Sequence, residues 1–222
     1  MTDRSTLNGI KAAVFDLDGT LFDSVGLWHR IDDEFLGKRG FVPTDEYKHG
    51  ISALGNREVA LFTIKFFGLK DTPEQLMDEW AGMARKAYAH SIPLLPHAKE
   101  YLDECKCAGL KLAVVTSLAD ELAEAGLKNN GIYDMFDEIV TADNCGLSKS
   151  AAEIYLHTAR NIGVQPDECV AFDDVLPALV SAKAAGMITV AIEGKMLSRQ
   201  KAAGFVDYVI PDFSHAPKLI RN

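Results

Sequence analysis

Short apolar runs separated by amphipathic stretches recur along the chain, and their order predicts its architecture. "KAAVF" (11–15), "LKLAVVTS" (110–117), "FDEIVTAD" (136–143), "ECVAFDD" (168–174), "MITVAI" (187–192) and "FVDYVI" (205–210) read as strands. From residue 110 onward, helical spacing of apolar positions falls between them, near 119–129, 150–162 and 176–185. Strands that alternate with helices, and that are apolar along their whole length, predict a parallel, doubly wound α/β sheet buried on both faces.

The stretch from about Leu27 to Ala89 breaks the alternation. "LWHRIDDEFLGKRG", "NREVALFTIKFFGL" and "TPEQLMDEWAGMARKAYAH" carry helical spacing, punctuated by Gly40, Gly68 and Thr72-Pro73, with no strand between them. A helical domain over 27–90 is therefore expected, inserted into a core formed by 1–26 and 91–222. "SIPLLPHAK" (91–99), stiffened by Pro93 and Pro96, reads as the return linker. Phe62, Phe66, Phe67, Trp28 and Trp80 read as the apolar interior of the helical domain.

Composition narrows the function classes. With 222 residues, 48% of them hydrophobic and 25% charged, the chain has material for one good core plus a smaller module. A formal net charge of −9 argues against nonspecific binding to nucleic acid or to an anionic membrane. It leaves an anionic substrate open, because a bound metal ion can invert the local sign. Cys105, Cys107, Cys145 and Cys169 show no metal-ligand spacing and no Cys-x-x-Cys, so reduced and mostly buried thiols are expected. "MTDRSTLNGI" lacks the apolar stretch of a leader, and no run approaches the roughly 18 apolar residues of a membrane span. The expectation is a soluble cytoplasmic protein with neither a nucleic-acid nor a membrane partner.

The reactive-looking residues share one feature. Asp16 and Asp18, Thr116 with Ser117, Lys149, and Asp173 with Asp174 fall at or just after the C-terminal ends of predicted strands. In an open parallel sheet those ends line the ligand crevice, so segments far apart in sequence are expected to converge there. Asp16 and Asp18, two apart on extended chain, point to the same side and repel unless a cation lies between them. Four carboxylates and a lysine suit a hard cation with oxygen ligands, best Mg²⁺, which needs few protein ligands. One carboxylate can then act as nucleophile and a second can shuttle a proton. Lys149 and the Thr116 hydroxyl can hold a phosphoryl group, and Gly19 allows close approach of backbone.

With those residues in view, the chain resembles the haloacid dehalogenase superfamily, in the branch with a helical cap after the first strand that includes β-phosphoglucomutase-like phosphatases. "DLDGTLFDS", "VVTS", "SKSAAEIYL" with Lys149 and Tyr155, and "AFDDVLPALVSAKAAGM" match its four motifs in order, over nearly the whole chain. The resemblance implies a Rossmann-like core with an inserted α-helical cap. It implies Asp16 as nucleophile and Mg²⁺ ligand, and Asp18 as general acid/base with its backbone carbonyl on the metal. Thr116, Ser117 and Lys149 would bind the phosphoryl group. Asp174 would complete the metal site directly, and Asp173 directly or through water. His29 stands where some relatives place a hinge histidine. Arg57, in the glycine-containing segment "HGISALGNREV" (49–59), is a candidate to meet substrate.

The chain departs from the pattern in two places. Ser150, Ala151 and Ala152 follow Lys149 where relatives usually have prolines, and Val175 and Ala178 stand where a serine and a glycine are common. A Val175 side chain has no hydrogen bond to offer a metal-ligating aspartate. The implied function is a Mg²⁺-dependent phosphatase acting on a small phosphorylated metabolite, such as a sugar phosphate. The alternatives are a sugar phosphomutase, or a non-catalytic regulator on the same fold. Asp18 disfavours a dehalogenase, since displacement of an alkyl halide needs no acid.

Overall fold

The computed structural model describes residues 4–24, 26–51, 56–194 and 197–221. The chain divides into two compact units, Met1–Val25 with Ile92–Asn222, and Gly26–Ser91. The first begins with strands β1 (Thr6–Asn8) and β2 (Ala12–Phe15). The second holds helices α1 (Leu27–Gly37), α2 (Asp45–Ile51), α3 (Asn56–Phe67) and α4 (Pro73–His90). The chain then re-enters the first unit with α5 (Ala98–Cys107), β3 (Lys111–Thr116), α6 (Asp120–Asn129), β4 (Glu138–Thr141) and α7 (Ala142–Cys145). It closes with α8 (Ala152–Asn161), β5 (Cys169–Asp173), α9 (Leu176–Ala184), β6 (Ile188–Ile192), α10 (Arg199–Ala202), β7 (Tyr208–Ile210) and β8 (Lys218–Ile220).

Six strands form one parallel sheet in the order β4-β3-β2-β5-β6-β7, as the alternation of apolar runs predicts. The chain steps outward from β2 to β4, then crosses back to lay β5 on the other side of β2. That reversal is a topological switch point, and it opens a crevice beyond the C-terminal ends of β2 and β5. Phe15 pairs with Phe172 in register, so the residues that follow them meet at the mouth of the crevice.

Both faces of the sheet are covered. On one, Ala12, Val14 and Ala171 pack with Ile154 and Ala159 of α8 and Ala182 of α9. On the other, the rings of Phe15 and Phe172 stack with centroids 4.9 Å apart, and Tyr101 of α5 and Phe213 close over them. Tyr101 also donates a 2.8 Å hydrogen bond to the Pro217 carbonyl. β1 and β8 pair in a separate two-stranded parallel ladder. The segment read as a linker differs at its end, because Ala98 and Lys99 already belong to α5.

The helical unit is built on two stripes. Leu27, Ile31 and Phe35 of α1 and Leu76, Trp80, Ala84 and Tyr88 of α4 recur every four residues and are buried. Phe35 meets Trp80 edge to face at 5.5 Å. Trp28 lies one residue off the α1 stripe and is 51% exposed, so its placement in the interior is corrected. Buried Tyr47 of α2 packs on Phe62, Phe66 and Phe67 of α3. Gly50 is the notch that admits α3: a Cβ there would stand 2.3 Å from the Phe62 ring. Ser52 to Gly55, within the segment flagged as a substrate candidate, lie outside the described residues. Among the described residues no helix is long and apolar enough to cross a membrane.

Candidate active site

Asp16 follows β2 directly, and its N–H continues the ladder with a 3.0 Å bond to the Phe172 carbonyl. Asp173 ends β5, and Asp174 comes next. One oxygen from each of Asp16, Asp173 and Asp174 lies within 4.8 Å of the others, and all three residues are buried. The Lys149 ammonium reaches into this group, pairing with Asp16 Oδ1 and with Asp173 Oδ2 at 2.8 Å. Taken alone, a lysine is expected on the surface; this one is 8% exposed.

A local turn aims Lys149 inward. Ser148 accepts from its neighbours, its Oγ from the Ser150 N–H at 3.2 Å and its carbonyl from the Ala151 N–H at 3.0 Å. Prolines at 150 or 151 would remove these donors, so the departure after Lys149 substitutes hydrogen bonding for ring stiffness. Val175 resolves in a similar way. Its side chain offers nothing, but its backbone N–H donates to Asp173 Oδ1 at 2.8 Å. Both oxygens of Asp173 are thus engaged by protein donors.

The electrostatics leave the group short of positive charge. Burial, reinforced by the charge on Asp16, raises Asp173 to about 7 against the offsetting Lys149. The same two causes raise Asp174 to about 6. Burial alone would lower the pKa of Lys149, but Asp16 and Asp173 outweigh it and hold the ammonium protonated. Among the described residues one cation faces three carboxylates, and the buried Asp174 Oδ1 has no hydrogen-bond partner. An orphaned carboxylate oxygen in an all-oxygen group with excess negative charge fits a hard divalent ion.

The loop after β2 is tightly wound. The Leu17 carbonyl accepts from the N–H groups of Thr20, Leu21 and Phe22, at 3.2, 2.9 and 2.7 Å. Gly19 sits at φ +76°, and a Cβ on it would stand 2.2 Å from Asp174 Oδ2. The backbone of one motif therefore packs on the carboxylate of another. Asp18 is half-buried beside it and accepts a 2.7 Å hydrogen bond from Ser24 Oγ. Thr116 ends β3, is buried, and accepts from the Leu118 N–H at 3.1 Å. Ser117 next to it is exposed. His29 and Arg57 are exposed residues of the helical unit, and the Arg57 guanidinium pairs with Glu74.

The structure thus draws Asp16, Lys149, Asp173 and Asp174 into one contact group and sets Gly19 against Asp174. Ser24 was missed as a partner of Asp18, although it closes the same motif. Tyr155, in the same motif as Lys149, has a buried hydroxyl with no partner among the described residues. The four cysteines are free; Cys105 and Cys169 are buried, Cys145 is half-buried and Cys107 is exposed.

Known proteins resemble this chain along most of its length. The model of one protein family, haloacid dehalogenase-like hydrolase, matches residues 13–192. Hexitol phosphatase B of Escherichia coli (strain K12) is 28% identical over 191 residues, covering 85% of this chain and 86% of that protein. Protein CbbY of Rhodobacter capsulatus is 25% identical over 217 residues, covering 93% and 95%. A crystal structure of a CbbY mutant from Rhodobacter sphaeroides, in complex with xylulose-(1,5)bisphosphate, superposes with a TM-score of 0.71. It is 25% identical and covers 92% of this chain and 95% of that one.

Proposed function

This chain belongs to the haloacid dehalogenase-like hydrolases and is a phosphatase, and from that premise we propose that it hydrolyses a small phosphorylated metabolite through a phosphoryl group carried on Asp16. The observation that carries the reading is the meeting of Asp16, Asp173, Asp174 and Lys149 at the switch point. A sugar or polyol phosphate is the substrate class. One relative is named a hexitol phosphatase, and the CbbY mutant structure holds a sugar bisphosphate.

In the first half-reaction an Asp16 oxygen attacks phosphorus and the bond to the leaving oxygen breaks. Asp18, held by Ser24, gives that oxygen its proton. In the second, Asp18 takes a proton from water as the water oxygen attacks phosphorus, which frees Asp16 and releases inorganic phosphate. Lys149, the cation on Asp16 and Asp173, would turn toward a phosphoryl oxygen as substrate binds. The Thr116 hydroxyl would add a donor to the phosphoryl group. Mg²⁺ held by Asp16, Asp174 and the Asp18 carbonyl would neutralise charge on the phosphoryl oxygens. Asp173, already engaged by Val175 and Lys149, would support that set from behind.

The test is hydrolysis of p-nitrophenyl phosphate. The wild-type protein should turn it over with Mg²⁺ and lose activity with EDTA, and Asp16→Asn should be inactive while folded. Turnover that persists in Asp16→Asn, or that ignores metal removal, would reject the mechanism.

A further inference from the structure

Tyr155 is a buried polar group that this reaction leaves unused. It lies in α8, six residues after Lys149, and packs in the apolar cluster with Val14, Val115, Val140 and Ala171. It is 2% exposed, and its hydroxyl oxygen has no hydrogen-bond partner among the described residues. A hydroxyl buried bare is destabilising, and phenylalanine would fill the same volume without that cost. As a packing residue, then, tyrosine is the poorer choice, and its surroundings should say what it is for. After burial itself, the groups that act most strongly on the phenol are the charges of Asp173 and Asp16. Ala171 and Asp173, two apart on β5, face the same side of the sheet, so Tyr155 packs on the side from which the Asp173 carboxylate projects.

The carboxylate cluster has a weakness which a spare donor would repair. Asp173 is buried, and Lys149 is the cation on its Oδ2. A phosphoryl dianion entering beside Asp16 competes for the same ammonium with more charge than a carboxylate. As the ammonium is drawn toward the phosphoryl oxygens, Asp173 is left with the Val175 N–H alone, and an under-satisfied buried carboxylate opposes binding. We propose that Tyr155 is a positioning residue of the reaction, whose hydroxyl takes over Asp173 when Lys149 turns to the phosphoryl group. The proposal rests on the phosphatase reading of the Asp16 site.

Tyr155→Phe tests it, because it removes one oxygen and keeps the apolar contacts. Three quantities are measured beside wild type: the metal-free melting temperature, the inhibition constant of inorganic phosphate, and kcat and KM for p-nitrophenyl phosphate with Mg²⁺. The melting temperature should hold or rise, phosphate affinity should weaken by about tenfold, the worth of a hydrogen bond to a charged group, and KM should rise with it at little-changed kcat. A purely structural tyrosine would leave phosphate affinity and KM alone whatever happens to the melting temperature, which overturns the proposal. So does a variant that matches wild type in all three. A wild-type protein that neither binds phosphate nor turns over substrate would defeat the phosphatase reading itself, and the role of Tyr155 with it. An active wild type with an unchanged variant would defeat only the role.

Discussion

Lys149 and Gly19 mark two ways in which single residues make this site. Lys149 acts through charge, as the one ammonium that the described residues place among three buried carboxylates. Gly19 acts through the absence of a side chain. Its φ of +76° is costly for any L-residue, and the space its Cβ would need is held by Asp174 Oδ2 at 2.2 Å. An added methyl must therefore push the Asp174 carboxylate away from its partners as well as strain the loop. Gly19→Ala should lower kcat/KM by about a hundredfold, the scale of a displacement near 1 Å at a reacting centre. Gly131→Ala is the control, since its φ of +62° carries similar strain but its Cβ would meet nothing within 4 Å. That variant should lose a little stability and keep full activity. Equal activity in the two variants would show that the Gly19–Asp174 packing does not matter.

Among the elements, three helices of the inserted unit meet through a buried polar contact. Tyr47 OH of α2 lies 3.0 Å from Thr63 Oγ1 of α3 and 3.4 Å from Asp32 Oδ1 of α1, and Thr63 donates to the Val59 carbonyl at 2.8 Å. Burial raises Asp32 to about 6, against the lowering effects of Tyr47, His29 and Lys48 and with a further rise from Asp33. Between its ordinary value of 3.8 and about 6, Asp32 holds more protons folded than unfolded, so its contribution to stability falls as pH rises through that window. Asp32→Asn should therefore match wild type near pH 4 and become the more stable protein above pH 6, by denaturant titration at both pH values. A stability difference that does not change with pH would remove Asp32 as its source. The helices carrying this contact differ in how plainly the sequence shows them. α1, α3 and α4 announce themselves through apolar spacing, while seven-residue α2, "DEYKHGI", offers too little apolar surface to be seen. The central strands were legible because each is an apolar run that ends in a polar reactive residue. β1 and β8, three residues each, were not. At the site, the convergence of Asp16, Lys149, Asp173 and Asp174 could be read from strand ends. The Val175 N–H on Asp173 could not, because a backbone donor leaves no trace in side-chain identity.

For the molecule as a whole, excess negative charge at the crevice ties folding to the ion. Asp173 at about 7 and Asp174 at about 6 both bind protons more tightly in the folded chain than at their ordinary 3.8. As pH rises from about 4 through 7 the metal-free protein must either release those protons at a cost or unfold more readily, so its stability declines across that window. A divalent cation that binds only the folded site relieves the same repulsion, and at a hundred times its dissociation constant it adds about 2.7 kcal/mol. For a chain of this length each kcal/mol moves the melting temperature by roughly 2–4 °C. At pH 8, saturating Mg²⁺ should raise the melting temperature by about 5–10 °C over EDTA-treated protein, with a smaller gain at pH 5, where protons already occupy the carboxylates. The readout is calorimetric, because both tryptophans, Trp28 and Trp80, belong to the helical unit and not to the unit that holds the site. Asp174→Asn separates charge relief from ion binding. It should start more stable than wild type at pH 8 without metal and gain little when Mg²⁺ is added. Overlapping wild-type transitions with and without Mg²⁺ at pH 8 would mean that the carboxylates at the switch point hold no ion.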